Sequence, residues 1–113
     1  MIFASWNVNS IRARIENVKD YLNKFSPDVV MVQEIKTEYK TYPYDEIKNL
    51  GYESYVFGQK SYNGVAILSK NKLKNIKNDI FKDKNKQSRT ISAEIVYKKK
   101  IIQLINIYLS LIH

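Results

Sequence analysis

The clearest hydrophobic pattern in the chain is a short apolar run that ends in an acidic residue. Val29 to Val32 follow a Pro-Asp start and give way directly to Gln33 and Glu34. A short uninterrupted run rich in β-branched side chains is typical of a strand that is buried on both faces. We therefore predict a central strand that ends at Glu34, where open α/β sheets bind their ligands, although an acidic residue that simply begins a surface loop is the alternative.

The pattern before this strand predicts a βαβ unit. A first strand ends in Asn7, and a helix follows with Asn9 or Ser10 as its N-cap. Strand, helix and strand in this order indicate parallel strands, which end at the same edge of a sheet. We therefore expect Asn7 and Glu34 to lie together. Apolar residues at near-helical spacing form the predicted buried face of the helix: Ile11, Ile15, Val18, Leu22 and Phe25.

The rest of the chain predicts a second helix and mainly β structure. The helix covers residues 45–50 and ends at Gly51, a common C-cap. Within the lysine- and asparagine-rich segment 70–89 we expect a basic loop that contains one short edge strand. The fold class is therefore α/β, with a mixed β-sheet and flanking helices. The predicted strands after the helix span residues 52–57, 65–68, 74–78, 90–97 and 100–108, and the first two of them form a β-hairpin over 52–69.

Composition adds a partner class and a compartment. The 113 residues suit a single domain, 1–113, and the formal net charge of +8 favours an anionic partner such as nucleic acid. A lysine-rich surface that is merely solvated is the alternative. Cysteine is absent, which excludes disulfides and thiolate metal sites and favours a reducing compartment. The first residues resemble no signal peptide and no stretch is long enough to span a bilayer, so we expect a cytoplasmic protein with no membrane partner.

Several short motifs occur in a fixed order. The first, at residues 5–14, reads SWNVNSIRAR, and the second, at 27–36, reads PDVVMVQEIK. Each motif is weak alone, but the ordered set resembles the exodeoxyribonuclease III family of apurinic/apyrimidinic endonucleases. The resemblance extends over essentially the whole chain as far as Tyr108. The remaining motifs lie at residues 50–52, 58–70, 89–94 and 106–108.

The resemblance implies a fold and a reaction. The fold would be the N-terminal half of a four-layer α/β sandwich, in which two mixed sheets lie face to face with helices outside. The reaction would be Mg²⁺-dependent hydrolysis of phosphodiester bonds in double-stranded DNA, at abasic sites or at 3′ ends, with Mn²⁺ as a possible substitute. The implied class is therefore a DNA-repair nuclease with both endonuclease and exonuclease activity.

The resemblance also assigns site residues. Glu34 matches the metal-binding glutamate, Asn7 the asparagine beside it in the metal and phosphate site, and Tyr108 the tyrosine near the scissile phosphate. The types suit the chemistry, because Mg²⁺ prefers carboxylate and other hard oxygen ligands, and a phenol can donate to a developing phosphoryl charge. Structural alternatives stay open: Asn7 as a helix cap, Glu34 paired with a neighbouring cation, and Tyr108 as an ordinary strand aromatic.

Basic residues around these motifs are candidates for phosphate contacts that position DNA without reading its sequence. The candidates are Arg12, Arg14, Lys36, Lys60 and Arg89, together with the basic cluster at 82–89. Lys36 and Arg12 are also the cations that could pair with Glu34. For each of these residues a solvated surface position is an equally simple interpretation.

The chain departs from the family pattern in two places. Ser10 stands where the family commonly has glycine, so the turn there is expected to be tight. After Tyr108 the family continues with a Pro-x-Gly loop and a second half that carries Asp-x-Asn and Ser-Asp-His motifs, whereas this sequence reads LSLIH. We therefore expect a truncated chain with a half-built site, no second sheet, an exposed apolar face and little or no hydrolysis alone. A non-catalytic DNA-binding fragment and one half of a split nuclease, with a separately encoded C-terminal half, are the alternatives.

Overall fold

The structure is a computed structural model that describes residues 1–78 and 88–109. The strands are β1 (Phe3–Asn7), β2 (Val29–Gln33), β3 (Glu53–Phe57), β4 (Val65–Ser69), β5 (Lys74–Asn78), β6 (Thr90–Tyr97) and β7 (Lys100–Ile107). The helices are α1 (Ile15–Phe25) and α2 (Tyr44–Lys48), with a 3₁₀ turn at Tyr39–Thr41. Within the described ranges no helix has the length and apolar character that crossing a membrane would require.

Four strands form the first sheet, sheet A, in the order β1-β2-β4-β3. β1 and β2 are parallel, and Asn7 lies opposite Gln33 in their register. β4 is antiparallel to both β2 and β3, so the predicted βαβ unit and β3–β4 hairpin are confirmed. β2 and β4 occupy the centre of sheet A, which explains why their sequences are almost wholly apolar.

Both helices cover one face of sheet A. Val18 and Leu22 of α1 and Ile47 of α2 are buried there against the apolar side chains of the sheet. The prediction that Phe25 belongs to the buried face is wrong, because its ring is exposed and packs against Tyr21 on the helix surface. Phe25 is the last residue of α1, nearly a full turn beyond Leu22, the last buried residue of that helix.

α1 begins at Ile15, later than predicted. Asn9 and Ser10 have φ values of 47° and 83°, and Ser10 Oγ accepts a hydrogen bond from the Ala13 N–H. The backbone N–H groups of Ser10 and Ile11 donate to the carbonyls of Glu34 and Ile35, so the pairing of the first two strands continues beyond Asn7. Because these long-range bonds hold residues 10 and 11 beside β2, the helix begins only after them. The left-handed conformation of Ser10 is one that glycine adopts most easily.

The remaining strands form a second antiparallel sheet, sheet B, in the order β5-β6-β7. The edge strand predicted at 74–78 is confirmed as β5, and the tight turn between β6 and β7 has positive φ at both Lys98 and Lys99. Most of the basic cluster predicted at 82–89 lies outside the described residues.

The expectation that a second sheet is missing is wrong, because sheet B covers the face of sheet A opposite the helices. Ile91, Ile95 and Leu104 pack there against Val29 and Ile67. The described part of the chain therefore has three layers, helices on sheet A on sheet B, which confirms a mixed α/β fold. The exposed apolar face is the outer face of sheet B, formed by Val96, Ile101, Ile105 and Ile107.

Candidate functional site

The predicted site residues lie where strands of both sheets end. β1 and β2 are parallel and finish together at Asn7 and Gln33. β4 begins beside this point, and β7 ends close by, since Asn106 of β7 donates to carbonyls of β2 and β4. The fold thus brings the ends of two sheets to a single edge.

Glu34 is the centre of this edge. It follows β2 with a φ of 54°, and its Oε1 accepts a hydrogen bond from the Tyr108 hydroxyl. Its other oxygen, Oε2, lies 3.9 Å from Lys36 Nζ, which donates to Asn9 Oδ1 at 2.6 Å. Glu34, Tyr108, Lys36 and Asn9 therefore form one connected polar group. The alternative pairing of Glu34 with Lys36 occurs here, beside a contact with Tyr108 that the sequence did not predict.

Asn7 lies at the same edge but makes a different contact. Its Oδ1 accepts a hydrogen bond of 3.1 Å from the Asn9 backbone N–H. Within residues 1–78 and 88–109 the structure shows no direct hydrogen bond between Asn7 and Glu34. The predicted sharing of one sheet edge is confirmed by the register of β1 and β2, whereas Asn7 as a cap of α1 is wrong because the helix begins at Ile15.

The loop between β3 and β4 forms one wall of the site. The N–H groups of Ile35 and Lys36 donate to the carbonyls of Gly64 and Asn63. On its other side the loop is held by Gln59, whose Oε1 accepts hydrogen bonds from Asn63 Nδ2 and from the Ser88 N–H. Backbone bonds thus fix the segment after Glu34 against Asn63 and Gly64, the buried end of this loop.

A basic cavity of about 140 Å³ lies beside the polar group. It contains three of the predicted DNA-contacting residues, Arg12, Lys36 and Lys60, and Lys36 also belongs to the Glu34 group. Arg14 lies apart, exposed at the N-cap of α1, and the Arg89 carbonyl accepts the Tyr108 N–H at 2.8 Å. The complete lining is Arg12, Lys36, Thr37, Glu38, Thr41, Lys60 and Ser61.

The oxygen donors at this edge suit a hard cation, but their number is small. Glu34 supplies one carboxylate and Asn7 one amide oxygen, the types that Mg²⁺ prefers. Among the described residues no group of three or more His, Cys, Asp or Glu side chains could enclose a metal ion. The set fits Mg²⁺ only if water, phosphate or another polypeptide segment completes it, which is a common arrangement for this ion.

Sequence reasoning gave no role to two polar residues near the site. Gln33 precedes Glu34, and Asn106 lies in β7 between the exposed Ile105 and Ile107, where it is buried. Gln33 Nε2 donates to Asn106 Oδ1 at 2.8 Å, and this bond links the two sheets. A signal existed, because an inward-facing asparagine in an apolar strand requires a hydrogen-bond partner.

Comparison with known proteins gives a consistent result. The sequence pattern of the Endonuclease/Exonuclease/phosphatase family matches residues 4–106. Exodeoxyribonuclease III of Haemophilus influenzae is 37% identical over 109 residues, which is 96% of this chain and 41% of that protein. The DNA repair nuclease APEX1 of Danio rerio is 35% identical over 100 residues, 83% of this chain and 32% of its own.

Two solved structures superpose closely on the fold of this chain. An AP endonuclease from Archaeoglobus fulgidus superposes with a TM-score of 0.85 at 33% identity, over 96% of this chain and 41% of its own. The 3′ phosphatase NExo from Neisseria, bound to a product DNA hairpin, gives 0.83 at 31% identity over the same shares. The chain thus spans less than half the length of the relatives it matches.

Proposed function

Because this chain belongs to the Endonuclease/Exonuclease/phosphatase family, we propose that it forms part of an exodeoxyribonuclease III-type site for phosphodiester hydrolysis in DNA. The observation that carries the proposal is the position of Glu34, whose carboxylate lies between the Tyr108 hydroxyl and the Lys36 ammonium. A carboxylate that can bind a metal ion, a hydroxyl donor and an ammonium group in one place suit a reaction in which negative charge develops on a phosphoryl group.

Mg²⁺ is the cofactor of this proposal, with Mn²⁺ as a substitute. Glu34 would be its carboxylate ligand, and Asn7 would add an oxygen ligand or orient Glu34 without adding charge. When bound, the ion would offset the negative charge that develops on the phosphoryl group. Tyr108 would donate a hydrogen bond to a phosphoryl oxygen.

Double-stranded DNA with abasic sites or 3′ ends is the proposed substrate. The basic cavity supports this, because Arg12, Lys36 and Lys60 surround a volume that borders the Glu34 group. Their contacts to phosphates would position the DNA backbone and would weaken as salt increases. Arg14 and Arg89 would extend the same surface, and a cytoplasmic location would accord with a chain that has no cysteine.

We further propose that other parts of the site come from a complementary polypeptide, such as a separately encoded C-terminal half. The chain matches only 41% of its Haemophilus influenzae relative, and the part of it that the structure describes has no group of three or more His, Cys, Asp or Glu side chains for a metal ion. Val96, Ile101 and Ile105 give sheet B an exposed apolar outer face against which such a segment could pack. Alone, the chain 1–113 would then hydrolyse little DNA.

A non-catalytic DNA-binding fragment is the second candidate function. The net charge of +8 and the three cations of the basic cavity favour it. Binding of this kind needs no metal ion and loses affinity steeply as the salt concentration rises. The two candidates therefore differ in their response to Mg²⁺ rather than in their affinity for DNA.

Incision of an abasic-site duplex in Mg²⁺ tests the proposal. The purified chain is assayed alone and together with the part of the Haemophilus influenzae relative that it does not match, added as a separate polypeptide. We expect no incision by the chain alone and EDTA-sensitive incision by the mixture. Glu34→Gln should reduce that incision by at least about 100-fold, because even residues that merely support a metal ligand have effects of this size.

Glu53→Gln is the matched control, since Glu53 is an exposed carboxylate that pairs with Ser69, at the end of β3 and β4 away from the site. It should leave incision nearly unchanged. Robust EDTA-sensitive turnover by the chain alone would contradict the incomplete site. Failure of the mixture to cut DNA, combined with metal-independent and salt-sensitive binding, would favour the DNA-binding fragment.

A further inference from the structure

Two side-chain amides join the sheets beneath the candidate site. Asn106 of β7 is only 1% exposed, and its side chain enters the layer between sheet B and sheet A. Its Nδ2 donates to the carbonyls of Val32 at 3.0 Å and Ala66 at 2.8 Å, which belong to β2 and β4. Its Oδ1 accepts the 2.8 Å hydrogen bond from Gln33 Nε2. One side chain of sheet B is thus fixed to both central strands of sheet A.

Gln33 extends this link to the edge of sheet A. Its Nε2 also lies 3.1 Å from Ser5 Oγ of β1 and 3.2 Å from the Met31 carbonyl. The side chain of Asn106 uses its two N–H donors on the Val32 and Ala66 carbonyls and its oxygen on Gln33, so every polar group of this buried amide has a partner. The surrounding side chains are mostly apolar, so these bonds have few competitors and favour a single arrangement of the two sheets.

The two amides lie next to the residues of the polar group. Gln33 immediately precedes Glu34, and Asn106 is two residues before Tyr108, which packs against the apolar cluster between the sheets. The contact between the Tyr108 hydroxyl and Glu34 Oε1 is itself a contact between the ends of the two sheets. A shift of one sheet against the other would separate these two side chains, and the amide pair opposes such a shift.

We propose that Asn106 and Gln33 are positioning residues that hold the Tyr108 hydroxyl against the Glu34 carboxylate. Neither amide needs to touch a substrate for this role. The inference rests on the proposed function for its meaning, because it assigns a purpose to the placement of Tyr108 and Glu34. The placement itself can be measured without any catalytic assay.

A purely structural role for the amides predicts a different result. Replacement of both partners of a buried hydrogen bond by apolar groups of similar shape is often nearly neutral for stability. Leucine at positions 33 and 106 replaces both partners of the amide–amide bond and releases the sheets from their fixed alignment. It also removes the donor to the Val32 and Ala66 carbonyls, so some loss of stability is expected. Positioning and stability are separable here, so one variant pair can distinguish them.

The test uses the full chain with ¹³C-labelled tyrosine rings, and Tyr108→Phe identifies the Tyr108 signal. In the chain with both amides present, Glu34→Gln should shift this signal, because the Glu34 carboxylate accepts a hydrogen bond from the Tyr108 hydroxyl. In Asn106→Leu and in Gln33→Leu the same change should shift it by roughly half as much or less, since residues in contact are energetically coupled. The double variant should lose no more than either single one.

Leu104→Ala is the matched control, because Leu104 is a buried apolar residue of the same strand and packs in the same layer. It should lower stability and leave the Tyr108 response intact. A full response in both leucine variants, or an equal loss in Leu104→Ala, would overturn the positioning role. If Asn106→Leu does not fold, Gln33→Leu decides, since Gln33 is only partly buried.

The outcomes separate this inference from the proposed function. If Glu34→Gln leaves the Tyr108 signal unchanged while both amides are present, the contact between Tyr108 and Glu34 is absent and the positioning role is overturned. If the response is present and the amide variants lose it, the positioning role holds even where the mixture of polypeptides cuts no DNA. The incision assay alone then decides the reaction.

Discussion

The two sheets have similar apolar strands in different surroundings. All five residues of β4 in sheet A are buried, because helices cover one face of that sheet and sheet B covers the other. β7 in sheet B alternates, with Leu104 and Asn106 inward and Ile101, Ile105 and Ile107 outward. Among the described residues nothing packs over that outward face, so sheet A is supported twice and sheet B once.

This difference matters because the candidate site depends on both sheets. Glu34 follows the doubly covered β2, whereas Tyr108 follows the singly covered β7. A residue on a well-packed strand keeps its position through many contacts, while one on a half-covered strand depends on fewer. The comparison implies that Glu34 is the fixed partner and Tyr108 the one that needs additional support.

The largest effect should come from the centre of sheet A. Ile67 of β4 is fully buried, and we expect Ile67→Ala to lower the free energy of unfolding by about 3 kcal/mol through lost burial and a residual cavity. Ile101 of β7 is 68% exposed, and Ile101→Ala should change the same quantity by less than about 0.5 kcal/mol. Urea denaturation of both variants measures the difference.

Equal losses in the two variants would break the comparison. They would mean that the outer face of sheet B is covered in solution, for example by a second copy of the chain. Sedimentation at several protein concentrations then identifies the cause, because a self-associating chain gains apparent stability as its concentration rises.

Much of this architecture could be predicted from the sequence. The apolar run at Val29 to Val32 and the periodic segment before it determine the βαβ unit, and the parallel pairing follows from that unit. The common edge of Asn7 and Glu34 was predictable for the same reason. Local patterns and one topological rule were sufficient for these features.

The remaining features depend on long-range contacts. Ser10 and Ile11 bond to the carbonyls of Glu34 and Ile35, so α1 starts later than its apolar spacing indicates. Nor could the pattern of β7 reveal whether a second sheet would form, because alternating residues suit either an exposed or a covered sheet. The roles of Gln33 and Asn106 appear only when two segments distant in the sequence meet.

A second effect should come from the loop that supports Glu34. A Cβ atom at Gly58 would lie 2.2 Å from the Thr37 carbonyl oxygen, so Gly58→Ala must displace backbone. We expect a loss of about 2 kcal/mol in unfolding free energy, the typical cost of overpacking. Gly51→Ala is the control, because Gly51 faces open space and only its φ of +93° opposes a side chain, at a cost of about 1 kcal/mol.

The conclusion depends on which of the two variants, Gly58→Ala or Gly51→Ala, loses more unfolding free energy. A larger loss in Gly58→Ala means that close packing around the Glu34 loop contributes more than the conformation of one turn. If Gly51→Ala proves the more harmful, the loop is not held as tightly as the site geometry implies. Thermal unfolding at neutral pH is sufficient to rank the two variants.

The smallest effect concerns a tyrosine on the helix side of sheet A. Burial strongly raises the pKa of Tyr42 above its ordinary value of 10.0, while its hydrogen bond with Ser54 Oγ opposes the rise. The folded chain therefore keeps this phenol neutral at a pH where the unfolded chain ionises it. The contribution of Tyr42 to the free energy of unfolding should be complete below pH 10. Above pH 10 the free energy of unfolding should fall by up to about 1.4 kcal/mol per pH unit.

Tyr42→Phe should flatten this alkaline decline, as measured by urea denaturation between pH 9 and 11. Tyr44→Phe is the control, because burial also raises the pKa of Tyr44 but its ring is exposed, so the flattening should be smaller. An unchanged slope in Tyr42→Phe would mean that water reaches the helix side of sheet A. The contrast between a doubly covered sheet and a singly covered one would then be weaker than the packing suggests, because one of the two covers of sheet A would be open.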